Sequence, residues 1–176
     1  SLSVFYFFFH FNTDQSINYE KLRESYPDFV DFVDDIEKKE AAFSEYATPG
    51  GAYLSVGMAW KSLADRTNDI EHYKKAMEYF DVGFFESGET KAVFLINSGN
   101  MAVHMKDYAL AETYYLKALE VSPTTESVYL RLADLYYYHL KKSPEDIIAI
   151  LDKAIDRIVG ANNSMLLKKR ILSEIE

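Results

Sequence analysis

The sequence predicts an all-α fold, an α-solenoid of about three helix-turn-helix units with an N-terminal helical extension and a C-terminal capping helix. Three observations support this prediction. The chain resembles itself at an offset of 35 residues, a spacing typical of stacked helical pairs. Within each copy, apolar residues recur at steps of three and four, which is the helical period. Only 7 Gly and 4 Pro occur in 176 residues, which argues against an all-β protein with frequent turns.

The chain begins with a short apolar segment, residues 1–11, which contains LSVFYFFF at residues 2–9. This run is much shorter than the roughly 20 residues of a membrane-spanning helix. Two interpretations stay open: the segment packs on its own domain or a neighbouring copy, or it is the trimmed end of a membrane anchor. In either case, the five Phe within residues 5–11 predict an association site.

Residues 12–55 are expected to form an acidic helical cap that packs on the first unit. Residues 12–46 hold ten acidic and four basic side chains, a local net charge of −6. We expect one or two helices that end near residues 48–51, and whether they form a degenerate fourth unit stays open. A helical stripe beginning after Pro27 is formed by Phe29, Phe32, Val33, Ile36 and Phe43.

Three units follow, over residues 57–91, 92–125 and 126–161. Small residues in such units let two helices approach closely, and large ones fill the space beside them. Steps of 34 and then 36 extend the match into the third unit, and we expect a longer turn between its two helices to absorb the difference. Among the key positions that the offset of 35 relates, only the pair Leu63 and Ser98 changes class, from a large apolar residue to a small polar one. The offset of 35 relates Trp60 to Leu95, Ala64 to Gly99, Tyr73 to Tyr108, Ala76 to Ala111, Phe80 to Tyr115 and Gly83 to Ala118.

Helix-start signals agree with this division of the chain. Residues 162–176 are expected to form the capping helix, with Ser164 at its start and with Leu167 and Ile171 on its inner face. The candidate caps of the earlier helices are Asn68 or Asp69, Thr124 or Thr125, and Ser143 followed by Pro144.

The repeated residues resemble the tetratricopeptide repeat family. Segment 92–125 matches its pattern best, segment 57–91 lacks the closing proline and has Gly83 for alanine, and segment 126–161 has an irregular second helix. Together the three cover roughly 105 of 176 residues. The resemblance implies a curved inner surface, here named the groove, that is lined by the first helix of each unit and holds an extended or helical peptide. In the best segment, the residues that stand where the family places them are Gly99, Tyr108, Ala111, Tyr115, Ala118 and Pro123.

The resemblance also implies which side chains line the groove. One variant of the family grips the terminal carboxylate of chaperone tails, and Lys61, Asn97 and Arg131 stand at three of its five positions. Asp65 and Ser127 stand at the other two, and an aspartate opposes a bound anion. We therefore expect a mixed polar groove whose ligand is a protein segment of unknown sequence. The expected groove residues are Lys61, Asp65, Asn68, Asn97, Asn100, His104, Arg131, Asp134 and Tyr138.

The sequence carries no catalytic motif, so we expect a non-enzymatic protein-interaction scaffold without a cofactor or metal. It has no Cys, no phosphate-binding loop, and no metal or nucleophile motif. The four His are expected on or near helix surfaces, and Asp31, Asp34 and Asp35 on a solvated face.

The expected partner is a protein or peptide. A net charge of −9 without a basic face disfavours nucleic acid. The alternative is the soluble portion of a membrane-anchored assembly or envelope factor that self-associates through residues 1–11. Membrane association and a homo-oligomer therefore stay open, and so does the compartment.

Overall fold

The structure is a computed structural model that describes residues 17–88 and 91–175, and every regular element in these residues is helical. The predicted all-α class is confirmed. The segment of residues 1–11 and its predicted association site lie outside the described residues. The helices are α1 (Tyr19–Ser25), α2 (Val30–Ala41), α3 (Pro49–Thr67), α4 (Ile70–Glu86), α5 (Lys91–His104), α6 (Tyr108–Val121), α7 (Glu126–Asp134), α8 (Pro144–Arg157) and α9 (Asn162–Ile175). Short 3-10 turns lie at Pro27–Phe29 and Phe43–Glu45, and a π-helix at Leu135–Leu140 continues α7.

The helices begin where side chains can bind free backbone N–H groups. Asp69 and Ser143 cap α4 and α8, as predicted, and Asp107 caps α6 through its carboxylate and Leu110 N–H at 3.1 Å. Asn68 has a different role, because it ends α3 in the left-handed conformation with φ 54°. Thr125 stands at the predicted cap position of α7, but its side chain makes no cap bond there.

The first long helix starts earlier than the predicted unit boundary. Thr48 accepts the N–H of Gly51 at 3.1 Å, and Pro49 occupies the first turn, where its missing N–H costs nothing. Residues 49–55 of the predicted cap therefore belong to α3. The two shorter helices α1 and α2 precede it, and α2 packs on α3.

Each later helix packs on the one before it along the chain. We call α3–α4 the first pair, α5–α6 the second pair, and α7 with the π-helix and α8 the third pair; α9 packs on both α7 and α8. The core consists of two apolar clusters. One runs from α2 to α5 and the other from α5 to α9, and α5 contributes to both through Phe94 and Leu95.

The small residues of the repeat lie at close helix contacts. Ala76, Ala111 and Ala118 are fully buried. A Cβ on Gly99 would lie 2.6 Å from Tyr115 Cε1, and one on Gly83 would lie 2.1 Å from Phe94 Cε1. Neither distance is compatible with a side chain at these positions, so the glycines permit the approach of the two aromatic rings.

Ser98, the position that changes class in the repeat, belongs to a polar bridge between helices. Its hydroxyl donates to Asp81 Oδ1 at 2.7 Å, and the Tyr114 hydroxyl donates to Asp81 Oδ2 at 2.7 Å. Burial raises the pKa of Asp81 above its ordinary value of 3.8. The bridge joins α4, α5 and α6, so the polar residue replaces an apolar contact with hydrogen bonds.

A second bridge of the same kind lies one repeat earlier. Tyr79, which the offset of 35 relates to Tyr114, donates its hydroxyl to Glu40 of α2. Trp60 Nε1 also donates to this carboxylate, at 3.4 Å, and so does the Tyr19 hydroxyl of α1. Glu40 thus joins both N-terminal helices to the first pair.

The third pair departs from the predicted geometry. We expected a longer turn between its helices, but the loops of the second and third pairs, residues 105–107 and 141–143, have equal length. The two additional residues lie in the π-helix, whose wider turns accommodate more residues over the same rise. Lys141, at φ 50°, ends it, and Lys142 N–H binds Tyr136 O at 3.1 Å.

The last helix begins at Asn162, so Ser164 is not its cap. Ser164 is fully buried, and its N–H and hydroxyl both donate to Glu126 Oε1, at 2.9 and 3.0 Å. These hydrogen bonds lower the pKa of Glu126. Glu126 thereby fixes the start of α9 against the start of α7. Over residues 17–88 and 91–175, no helix is both long and apolar enough to cross a membrane.

Candidate functional site

The groove residues of the first pair form a connected polar cluster. Lys61 and Asp65, four residues apart on α3, form an ion pair with Nζ to Oδ2 at 2.5 Å. The Tyr73 hydroxyl of α4 donates to Asp65 Oδ1 at 3.2 Å. The His104 ring of α5 stacks on Tyr73 with centroids 4.7 Å apart. Three helices thus contribute to the cluster, and the positive charge of Lys61 is neutralised within it.

A second cluster joins the second and third pairs. The buried Tyr115 of α6 donates its hydroxyl to Asn100 Oδ1 of α5 at 2.8 Å. Arg131, on α7, also lies near Tyr115. Burial raises the pKa of Tyr115, and the positive charge of Arg131 opposes that rise. Arg131 is exposed and forms no ion pair with any described residue.

The remaining predicted residues occupy different places. Asn97 lies half-buried one turn before Asn100 on α5, so the two amides share a helix face. Asn68 is exposed at the end of α3, where its backbone terminates the helix. The structure therefore brings Lys61, Asp65 and His104 into one cluster.

Asp134 and Tyr138 line a cleft of about 170 Å³ between the third pair and α9. We call this space the C-terminal cleft. Tyr138 is 54% exposed, and the Tyr137 ring lies edge-on to it with centroids 4.8 Å apart. The Tyr137 hydroxyl donates to Glu174 Oε2 at 3.3 Å. The other lining residues are Ala133, Leu167, Arg170 and Ile171.

Arg170 and Glu174 were missed by the sequence prediction, which treated α9 only as a cap. A signal for them exists, because continuing the step of 36 carries Asp134 to Arg170 and Tyr138 to Glu174. The last helix thus extends the series of groove positions by one further element. Its side chains give the cleft one cation, Arg170, and one carboxylate, Glu174, beside the carboxylate of Asp134 and the tyrosines of the π-helix.

The other titratable residues have structural contacts. His72 is buried more completely than the surface or partly buried position expected for it; its Nδ1 lies 2.9 Å from Thr67 Oγ1, and burial lowers its pKa. Asp34 pairs with Arg23, and Asp35 pairs with Lys39. Among the described residues, no three His, Asp or Glu side chains are grouped as a metal ion would require.

The chain matches no known protein-family model, and a search of curated proteins finds no relative. The two clusters and the C-terminal cleft are therefore the structural basis for a proposal about function.

Proposed function

We propose that this protein is a non-enzymatic interaction scaffold whose groove binds a peptide or an extended segment of another protein. The observation behind the proposal is the exposed position of Arg131. This residue is an exposed cation without an ion pair in the described part of the chain, and it lies near Tyr115, whose hydroxyl donates to Asn100 of the neighbouring helix. An Arg placed in this way can bind a carboxylate or a carbonyl of a ligand through two parallel hydrogen bonds.

The proposal includes a solenoid of tetratricopeptide-like units. The consecutive packing of the helices, the buried Ala76, Ala111 and Ala118, and the contact of Gly99 with Tyr115 support it. In such an architecture the core uses one face of each helix, and the remaining face of the first helices stays available for a ligand.

The groove offers mainly hydrogen bonds rather than a single strong charge. Lys61 is neutralised by Asp65, so its end of the groove has little net charge. Asn97 and Asn100 offer amides, which pair well with the N–H and C=O groups of an extended backbone. Arg131 offers a free cation, and the C-terminal cleft offers carboxylates beside Tyr138. These groups favour an extended peptide that carries an acidic residue opposite Arg131.

The test is binding to an array of random peptides, followed by titration of the peptides retained. Arg131→Ala is expected to weaken binding roughly tenfold, the usual effect of losing a charged hydrogen bond. Lys61→Ala is expected to have a smaller effect, because the side chain is already paired. Lys153→Ala, which removes an exposed cation from α8, is the control and should leave binding unchanged. Binding unaffected by Lys61→Ala, Asn97→Ala and Arg131→Ala would eliminate the groove as the site.

A second candidate function follows from the sequence LSVFYFFF at residues 2–9. The chain would be the soluble portion of a membrane-anchored assembly factor that self-associates through this segment. Light scattering on the chain with and without residues 1–11 tests the self-association. Equal monomeric masses would exclude it.

A further inference from the structure

The last helix has an exposed face that is unusually apolar for the end of a helical array. Leu166 is 70% exposed, Met165 45% and Leu172 38%. Terminal helices in stacked arrays ordinarily present a polar outer face, because no further helix covers them. This face of α9 therefore resembles a surface that packs against another element.

Basic side chains lie beside Leu166 on the same helix. A cavity of about 560 Å³ along α9 is lined by Asn163, Leu166, Leu167, Lys169, Arg170 and Ser173, with no acid among them. Lys168 pairs with Asp152 at 2.5 Å, whereas Lys169 and Arg170 form no ion pair within the described part of the chain. With three cations and one anion, Glu174, α9 carries a net charge of +2.

The opposite end of the molecule is acidic. Residues 17–46 hold nine acids and four bases, a net charge of −5. Arg23 forms ion pairs with Asp34 and Glu37, and Lys39 forms one with Asp35. The acids Glu20 and Glu24, four residues apart on α1, are exposed on one helix face, with Lys21 as the exposed cation beside them. Asp28 and Asp31 are also exposed.

We propose that two copies of this chain associate head to tail, with the apolar and basic face of α9 of one copy bound to the acidic α1–α2 end of the next. The net charge of −9 makes copies repel in most orientations. The head-to-tail orientation is favourable because it places the net positive helix against the net negative end. The exposed leucines then add apolar burial.

The contact joins two different surfaces, so it is heterologous. An associated pair retains one free acidic end on one copy and one free α9 on the other, so further copies can add to form open chains. Leu167 and Arg170 line both this cavity and the C-terminal cleft, whereas Leu166 and Lys169 line neither the cleft nor the two groove clusters, so variants of these two residues test the association apart from peptide binding.

The experiment is sedimentation velocity on the full chain at low salt over a range of protein concentrations. The wild-type mass should rise with concentration and fall toward the monomer as salt screens the charges. Two charge-reversal variants, Leu166→Glu/Lys169→Glu and Glu20→Lys/Glu24→Lys, should each remain monomeric. Mixing them should restore association, because the intact α9 of one variant meets the intact acidic end of the other.

Two controls make the result decisive. Glu86→Lys/Glu120→Lys changes the net charge as much as the α1 variant but at exposed positions of α4 and α6, and it should associate like the wild type. Leu166→Ser/Lys169→Ser is a milder α9 variant and should also be monomeric, with unchanged helical circular dichroism. A monomeric wild type would overturn the proposal. So would association that persists in either reversal variant, as contact through residues 1–11 would produce, or a mixture that stays monomeric.

Discussion

The second and third helical pairs have related sequences but differ in how they use their polar residues. In the second pair, Gly99 lies against Tyr115, and Ser98 and Tyr114 both bind Asp81 inside the protein. In the third pair, a step of 36 puts Ile150 at the position of Tyr114, and the π-helix places Tyr137 and Tyr138 beside an open cleft. Where the repeat is regular, these polar groups bind each other between packed helices; in the π-helix, Tyr137 and Tyr138 are exposed.

The largest expected effect concerns the close contact in the second pair. Gly99→Val should lower the free energy of unfolding by about 3 kcal/mol, because the added side chain overlaps the Tyr115 ring and is β-branched within a helix. Denaturant unfolding measures this. Gly88→Ala is the control, since a Cβ there meets nothing within 4 Å. Equal stability of Gly99→Val and the wild type would contradict the contact.

The polar bridge of the second pair should be the next most costly feature to disturb. Tyr114→Phe removes one of the two hydroxyls that bind Asp81 and should cost about 2 kcal/mol, because a buried carboxylate loses a donor. Tyr108→Phe is the matched control, since its ring stacks on His139 without need of the hydroxyl. A difference between the two variants of less than 0.5 kcal/mol, about the scatter of surface substitutions, would argue against the bridge.

The bridge also predicts a dependence on pH. The pKa of Asp81 is raised in the folded state. Above pH 3.8, Asp81 therefore keeps its proton in the folded protein to a greater extent than in the unfolded chain. This contribution of Asp81 to stability is present at low pH and is lost as the pH rises through its folded pKa. The stability of Asp81→Asn relative to the wild type should therefore increase from acidic to neutral pH, as measured by thermal unfolding. A difference that is constant with pH would exclude a raised pKa.

The third pair depends instead on Glu126 for its attachment to α9. Glu126→Gln should cost about 1 kcal/mol, because the charged acceptor of the Ser164 N–H and hydroxyl is lost. The pKa of Glu126 is lowered, so its contribution is present at neutral pH and is lost as the pH falls below about 4.5. The variant and the wild type should converge in acid. Glu145→Gln, an exposed acid of α8, should lack this convergence.

The smallest expected effect concerns two histidine–tyrosine stacks, one with its histidine in the second pair and one with its histidine in the third. His104 stacks on Tyr73 at 4.7 Å, and His139, exactly one offset of 35 later, stacks on Tyr108 at 4.2 Å. His104→Ala and His139→Ala should each cost about 0.5 kcal/mol, the low end for an aromatic pair. Denaturant unfolding of both variants tests whether the two stacks are equivalent. A much larger effect in one pair would show that the π-helix changes the contact.

The pattern of small and large residues was enough to predict the helical class, the close contacts and several caps. It was not enough for the exceptions, because those depend on partners far away in the chain. Ser98 is explained only by Asp81 and Tyr114, and the buried Ser164 only by Glu126, 38 residues earlier. The extra residues of the third pair gave no sign of a π-helix, since a loop would have accommodated them equally well.

The candidate site was predictable to a similar degree. The groove residues came from the resemblance, but the tyrosines that connect them, Tyr73 and Tyr115, were recognised only as packing residues. A phenol can fill a core with its ring and bind a polar neighbour with its hydroxyl, and a repeat pattern records only the ring. The contribution of α9 to the C-terminal cleft was missed because α9 was predicted only as a capping helix. Its match to residues 134–138 at a step of 36 was not used.

The π-helix has a consequence for how this protein can diverge over time. Because the two additional residues are stored inside a helix, the loop that follows keeps its length and Pro144 still starts α8. Loss or gain of a single codon here would rotate Tyr137 and Tyr138 around the helix without displacing the rest of the chain. Related proteins would then present different side chains to the C-terminal cleft by a change in length at this one place, with the packing of the other helices unchanged.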